Sequence, residues 1–166
     1  AAGRLVLALG DSLTAGYQLP PEAGFPAQLE VALRREGRDV RVHNAGVSGD
    51  TSAQGRARLA WVLGRLDRKP DVAIVELGAN DMLRGLPVAE TRANLEAIVH
   101  ELDRRGIAVI VAGMRAAPNL GRAYQGEYDA MFPAVARKYR AAFYPFFLEG
   151  VAGPPALQLA DGMHPN

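Results

Sequence analysis

Short apolar runs alternate along the chain with segments whose apolar residues recur at helical spacing. The first run, residues 4–9, is rich in Val and Leu and is polar only at its ends, which is typical of a strand buried on both faces. Similar runs predict four further strands, at residues 39–44, 71–77, 107–112 and 141–147. Between them, 3.6-residue spacing predicts helices at residues 25–36, from Thr51 to Leu66, after Pro87 and around residues 128–139.

This alternation of strands and helices predicts a doubly wound parallel sheet with helices on both faces. The 166 residues contain no internal repeat and no linker, so we expect one domain over residues 1–166. The carboxyl ends of parallel strands share one edge of the sheet, which is where such folds bind ligands. Side chains that follow different strands are therefore expected to converge there.

Groups capable of chemistry follow four of the five predicted strands. Ser12 follows the first strand, Gly49 the second and Asn80 the third, while Asp161 and His164 follow the fifth. A hydroxyl becomes a nucleophile when a base takes its proton, and an imidazole titrates near neutral pH. A carboxylate beside the imidazole fixes its tautomer. We therefore expect Ser12, His164 and Asp161 to form a catalytic triad.

Acyl transfer also requires donors for the oxyanion that forms in the transition state. The backbone N–H groups of Ser12 and Gly49 and the side-chain amide of Asn80 are the candidates. Each assignment has a structural alternative. Ser12 suits a helix cap, and Asp161 with His164 suits a solvated pair in the terminal loop.

These residues lie in four ordered blocks that resemble the SGNH (GDSL) hydrolases. The likeness is nearly residue for residue to the bacterial branch of multifunctional thioesterases, arylesterases and lysophospholipases. The blocks are Gly10-Asp11-Ser12-Leu13-Thr14-Ala15-Gly16-Tyr17, Ser48-Gly49-Asp50-Thr51-Ser52, Glu76-Leu77-Gly78-Ala79-Asn80-Asp81 and Asp161-Gly162-Met163-His164. The resemblance spans nearly the whole chain.

The resemblance implies a flavodoxin-like α/β/α sandwich with five parallel strands in the order 2-1-3-4-5. It implies Ser12 as nucleophile, His164 as base, Asp161 as the orienting carboxylate, and an oxyanion hole made by Ser12, Gly49 and Asn80. The expected activity is hydrolysis of carboxylic esters and thioesters through an acyl-enzyme, with neither metal nor cofactor. A periplasmic or secreted location follows from the same resemblance, with a cytoplasmic one as the alternative.

Three departures from the family pattern stand out. Ala79 replaces a usual glycine beside Asn80, and Ala116-Ala117 replace bulkier residues in a substrate loop. Relatives usually continue beyond the position of Asn166 into a final helix that packs beside the first one. We therefore expect this helix to be lacking in the chain as given.

Apolar residues in the loops at this sheet edge are candidates for an acyl-binding groove, with ordinary loop packing as the alternative. They are Met82, Leu83, Met114, Pro118 and Leu120. A carbohydrate acetylesterase with the same catalytic groups is the alternative enzyme, and a flavodoxin-like ligand-binding module is the non-catalytic alternative. An α/β-hydrolase is disfavoured because G-x-S-x-G is absent.

Composition narrows the partners. The net charge of +1 gives no general attraction to nucleic acid, and the absence of cysteine excludes disulfides, thiolate metal sites and a cysteine nucleophile. No apolar run approaches the roughly 20 residues needed to cross a bilayer. We expect a monomer whose partner is a small acyl ester or thioester.

Overall fold

The computed structural model describes residues 3–145, in which strands and helices alternate. The strands are β1 (Arg4–Gly10), β2 (Val40–Gly46), β3 (Val72–Glu76), β4 (Ala108–Ala112) and β5 (Ala142–Tyr144). The helices are α1 (Ser12–Ala15), α2 (Phe25–Arg35), α3 (Ser52–Arg65), α4 (Ala79–Leu83), α5 (Val88–Arg104) and α6 (Arg122–Lys138).

All five described strands are parallel and form one sheet in the order β2-β1-β3-β4-β5. The predicted fold class and strand order are therefore confirmed. In this register Gly10, at the end of β1, lies opposite Gly46 of β2 and Glu76 of β3. Three strand ends thus meet at one edge, and the loops that carry the candidate residues start there.

The helices cover the sheet as the outer layers of an α/β/α sandwich. On one face α3, α5 and α6 pack side by side and enclose the hydrophobic core, to which the strands contribute residues such as Leu7, Leu9 and Val75. On the other face α2 packs against β2. Beside α2 runs an apolar groove of about 670 Å³, lined in part by Val6 and Ile74.

Local sequence signals explain most helix boundaries. Thr51 caps α3 and forms the predicted capping box with Gln54, since each side chain binds the other residue's backbone N–H. Pro87 precedes α5, as predicted. The short helices α1 and α4 were not predicted, because a single turn is too short to show a 3.6-residue period.

No helix in residues 3–145 is long and apolar enough to cross a membrane. The prediction of one domain over residues 1–166 without a final helix extends beyond the described residues and stays a prediction.

Close packing between β2 and α1 predicts a strong effect of one methyl group. A Cβ at Gly46 would collide with the backbone N of Ala15 and lie 2.8 Å from the carbonyl carbon of Thr14. Because backbone atoms cannot rotate away, we expect Gly46→Ala to lower the free energy of unfolding by about 1–3 kcal/mol. Urea denaturation followed by circular dichroism measures this change.

The matched control is Gly64→Ala in α3, where an added Cβ meets nothing within 4 Å. Alanine is a better helix former than glycine, so this variant should be more stable by about 0.5 kcal/mol. Equal effects of the two substitutions would contradict the packing argument.

Candidate active site

Ser12 is the first residue of α1 and comes directly after the tight turn at Asp11 that follows β1. Asp11 is the N-cap of α1, and its Oδ1 accepts a hydrogen bond from the N–H of Leu13 at 3.0 Å. The helix lasts one turn and ends at Gly16, which has the left-handed φ of 80° that favours glycine. This strand–turn–helix geometry places Ser12, which is 9% exposed, at the carboxyl edge of the sheet.

The loop after β2 is anchored to the end of β1. The N–H of Val47 donates to the carbonyl of Gly10 at 3.0 Å, and the N–H of Asp50 closes a turn onto Val47 at 3.1 Å. Gly49, within this turn, has a φ of 84° and open space where a side chain would be. The glycine therefore leaves room for another molecule to approach the backbone at this position.

An ion pair strengthens this anchor. The Nε of Arg58 lies 2.6 Å from Asp50 Oδ2, and its Nη2 donates to the carbonyl of Gly10 at 3.0 Å. Both side chains are largely buried, at 18% and 9% exposure, so the pair is only weakly screened by solvent. Arg58 thereby joins the loop after β2 to the end of β1.

Asn80 lies on α4, which follows β3 after Gly78. Its side-chain Nδ2 donates to the carbonyl of Asp50 at 3.0 Å, so the amide is held against the loop that contains Gly49. A carboxamide carries two N–H groups, and this contact uses one. The second is the one available to a ligand.

Asp81 holds α4 against two other helices. It is almost fully buried and accepts hydrogen bonds from Ser52 N at 2.7 Å, Ser52 Oγ at 2.6 Å and Thr91 Oγ1 at 3.0 Å. The three donors lie on α3 and α5. Asp81 and Asp11 thus both accept backbone N–H groups at helix starts, whereas the side chain of Asp50 pairs with Arg58.

The structure thus brings together the loops that carry Ser12, Gly49 and Asn80. The other two predicted catalytic residues, Asp161 and His164, lie outside the described residues. The hydroxyl-bearing Ser12 segment is thereby linked to Gly49, which has no neighbour at its Cβ position, and to the side-chain amide of Asn80. Such a set suits a carbonyl compound, which needs a nucleophile on one side and hydrogen-bond donors on its oxygen.

Comparison with known proteins agrees with this arrangement. The sequence model of the GDSL-like lipase/acylhydrolase family matches residues 8–166. The chain belongs to this family.

Individual GDSL-like relatives align over nearly the whole chain. This chain is 52% identical in sequence to AlinE4, an SGNH-hydrolase family esterase. The crystal structure of AlinE4 superposes on it with a TM-score of 0.95, over 100% of this chain and 88% of AlinE4. This chain is also 40% identical to an arylesterase from Vibrio mimicus, over 99% of this chain and 82% of the relative. It is 37% identical to thioesterase 1/protease 1/lysophospholipase L1 from Escherichia coli K12, over 100% of this chain and 77% of the relative.

The predicted acyl-binding residues divide into two sets in this GDSL-like chain. Met82 and Met114 are buried in the hydrophobic core, and Leu120 packs against it. Leu83 is 57% exposed and Pro118 is exposed at the surface. The described residues contain no group of three or more His, Asp or Glu side chains that could hold a metal ion.

Sequence reasoning assigned no role to Glu76, the last residue of β3. The side chain is fully buried, and its pKa is raised well above the usual range by burial and by the negative charge of Asp11. Nearby, burial raises the pKa of the Tyr128 hydroxyl, with smaller contributions from Tyr124 and Asp81. A carboxyl group that ends an otherwise apolar strand is the sequence signal that could have identified Glu76.

The contacts of Asp81 predict that its removal destabilises the fold. Asp81→Ala leaves the buried N–H and hydroxyl of Ser52 and the hydroxyl of Thr91 without their acceptor. We expect the free energy of unfolding to fall by about 3 kcal/mol, measured by urea denaturation.

Asp103→Ala is the control, because Asp103 is exposed on α5. It should change the stability by less than about 0.5 kcal/mol. An Asp81→Ala variant as stable as this control would show that the three contacts contribute nothing.

Proposed function

We propose that the protein is a serine hydrolase that cleaves carboxylic esters and thioesters through an acyl-enzyme on Ser12. The observation that carries the proposal is the joining of the Ser12 turn to the loops of Gly49 and Asn80 by partly buried polar contacts. The relatives named esterase, arylesterase and thioesterase support the same chemistry.

In the first step the Ser12 hydroxyl attacks the acyl carbonyl while His164 takes the hydroxyl proton. The tetrahedral intermediate collapses when His164 gives that proton to the leaving alcohol or thiol, which leaves an ester on Ser12. Water, deprotonated by His164, then releases the acid and restores the serine. We assign Asp161 to the orientation of the imidazole, on the resemblance to the family.

The oxyanion that forms in each tetrahedral intermediate binds to three donors in this proposal. They are the backbone N–H groups of Ser12 and Gly49 and the Nδ2 of Asn80. Support comes from the open space at Gly49 and from the contact that fixes the Asn80 amide. Donors fixed in advance stabilise the transition state without a reorganisation cost.

For the acyl chain we propose the apolar edge of the site, formed by Met82, Leu83, Met114, Pro118 and Leu120. Leu83 and Pro118 are exposed and able to contact a substrate directly. Met82 and Met114 would act from beneath, as part of the core on which these loops rest.

We also propose that the protein is a monomer and that it is periplasmic or secreted. The proposed location rests on the family resemblance alone. Sedimentation of the purified protein tests the first, and fractionation of the source cells tests the second. A panel of acetylated sugars and longer acyl esters separates the proposed esterase from a carbohydrate acetylesterase.

The nucleophile is tested by Ser12→Ala. Without the hydroxyl no acyl-enzyme forms, so we expect kcat for a chromogenic short-chain ester to fall at least about 10⁴-fold. A fluorophosphonate probe should label the wild-type protein at Ser12 and leave the variant unlabelled, as read by mass spectrometry.

Ser48→Ala provides the matched control, since Ser48 is an exposed serine in the loop after β2. It should keep both the activity and the label. Full activity of Ser12→Ala would overturn the mechanism.

Asn80 is tested by the same assay. Asn80→Ala removes one of the proposed oxyanion donors, and we expect kcat to fall about 10²–10³-fold while KM changes little. Asn94→Ala is the control, because Asn94 is also a side-chain amide that donates one hydrogen bond, to Ser52 Oγ at 3.2 Å. We expect Asn94→Ala to retain kcat. A loss confined to KM in Asn80→Ala would argue for ground-state binding in place of oxyanion stabilisation.

A further inference from the structure

Two buried carboxyl groups lie side by side behind the Ser12 turn. Glu76 ends β3 opposite Gly10 of β1, and Asp11 directly follows Gly10. Both side chains are at 0% exposure. The reaction proposed above uses neither of them as acid, base or nucleophile.

The surroundings of this carboxyl pair, Asp11 and Glu76, favour a shared proton. Glu76 Oε1 accepts from Thr14 Oγ1 at 2.8 Å, whereas Oε2 accepts from no N–H or hydroxyl of the described residues. Beyond Thr14, the neighbour of Glu76 is Asp11, whose backbone N–H lowers the pKa of Glu76 while its side chain raises it. Two carboxylates in contact within a protein interior cannot both be charged, so one of them carries a proton and donates it to the other.

The contacts make Glu76 the better donor of the two. Burial and the adjacent Asp11 raise the pKa of Glu76 well above its usual range. Asp11 Oδ1 instead accepts the Leu13 N–H at the start of α1, so Asp11 suits the role of acceptor.

Two described side chains near the pair, Tyr128 and Arg58, do not act as its counter-charge. Tyr128 approaches from α6, and burial keeps its hydroxyl neutral. Arg58 approaches from α3, but its guanidinium binds Asp50 and the carbonyl of Gly10.

Little room surrounds the pair. A Cβ at Gly10 would collide with Thr14 Oγ1 and lie 2.8 Å from Glu76 Oε1. Thr14 and Glu76 therefore pack tightly against Gly10, where β1, α1 and β3 meet.

We propose that Glu76 is a positioning residue for the nucleophile: as a neutral acid it donates to Asp11, and this fixes the carboxylate that caps the helix carrying Ser12. Because Asp11 then holds the Leu13 N–H, the Ser12 N–H and hydroxyl keep one orientation toward the substrate. The inference rests on the proposed function, in which Ser12 is acylated.

The experiment compares Glu76→Gln with Glu76→Leu. A glutamine amide can donate to Asp11 and accept from Thr14 without carrying a proton that can be lost, whereas leucine does neither. We expect Glu76→Leu to react with the fluorophosphonate at least about tenfold more slowly, through the maximal labelling rate and with little change in the half-saturating probe concentration, because a small displacement of a nucleophile is costly. Glu76→Gln should restore most of this rate.

Two further readouts would not respond to a merely structural role. The infrared carbonyl band of a protonated carboxylic acid should be present in the wild-type protein at neutral pH and absent in Glu76→Gln. With rising pH the wild-type labelling rate should fall relative to that of Glu76→Gln, because deprotonated Glu76 repels Asp11 while glutamine cannot ionise.

Glu101→Gln is the matched control. Glu101 is partly exposed to solvent, and its hydrogen bonds to Arg104 and Arg105 lower its pKa to about 2, so it is ionised at neutral pH. The variant should keep the protonated-acid band and the wild-type labelling rate.

The positioning role is overturned if Glu76→Gln keeps the protonated-acid band, if it reacts as slowly as Glu76→Leu, or if Glu76→Leu reacts at the wild-type rate. Should Glu76→Leu fail to fold, the band and the pH dependence of Glu76→Gln decide alone. Failure of the proposed function gives a different result, since the probe would then label a residue other than Ser12 in the wild-type protein.

Discussion

The shape of the candidate site depends on how its buried carboxyl groups are satisfied. A carboxylate removed from water must gain an ion pair, several hydrogen bonds or a proton. Asp50 gains Arg58, and Asp81 gains three donors from α3 and α5. Asp11 gains the Leu13 amide and, in our proposal, the proton of Glu76. Each solution binds a group from a different segment, so satisfying the carboxyl groups also fixes the loops relative to one another.

The fixed loops explain how weakly structured segments present donors with defined positions. Gly10 offers one carbonyl to both Val47 and Arg58, and this joins the first two loops. The carbonyl of Asp50 then accepts the amide of Asn80, which joins the third loop to the second. A site held in this way needs no rearrangement when charge develops on a bound carbonyl oxygen.

Sequence patterns predicted the strands and the candidate residues, because these depend on short-range periodicity and on recognisable motifs, and the family resemblance implied the strand order. The capping box of Thr51 and Gln54 could also be predicted, because its sequence signal is a spacing of only three residues. The pairing of Glu76 with Asp11 depends instead on the register between β1 and β3. The 64 positions between Asp11 and Glu76 do not specify that register, so sequence patterns did not predict that the two carboxyl groups would be neighbours.

The loop after β4 is held differently from the loops after β1, β2 and β3. The N–H of Ala117 contacts Met82 Sδ at 3.3 Å, and the N–H of Ala116 donates to Asp129 Oδ1 at 2.7 Å. A thioether is a weak acceptor on a flexible side chain, and it does not fix a loop as an ion pair does. The small side chains of Ala116 and Ala117 also fill less space than bulkier residues would. Asp129 therefore anchors one end of this loop, and in our proposal the thioether contact and the small side chains beside it accommodate different acyl chains.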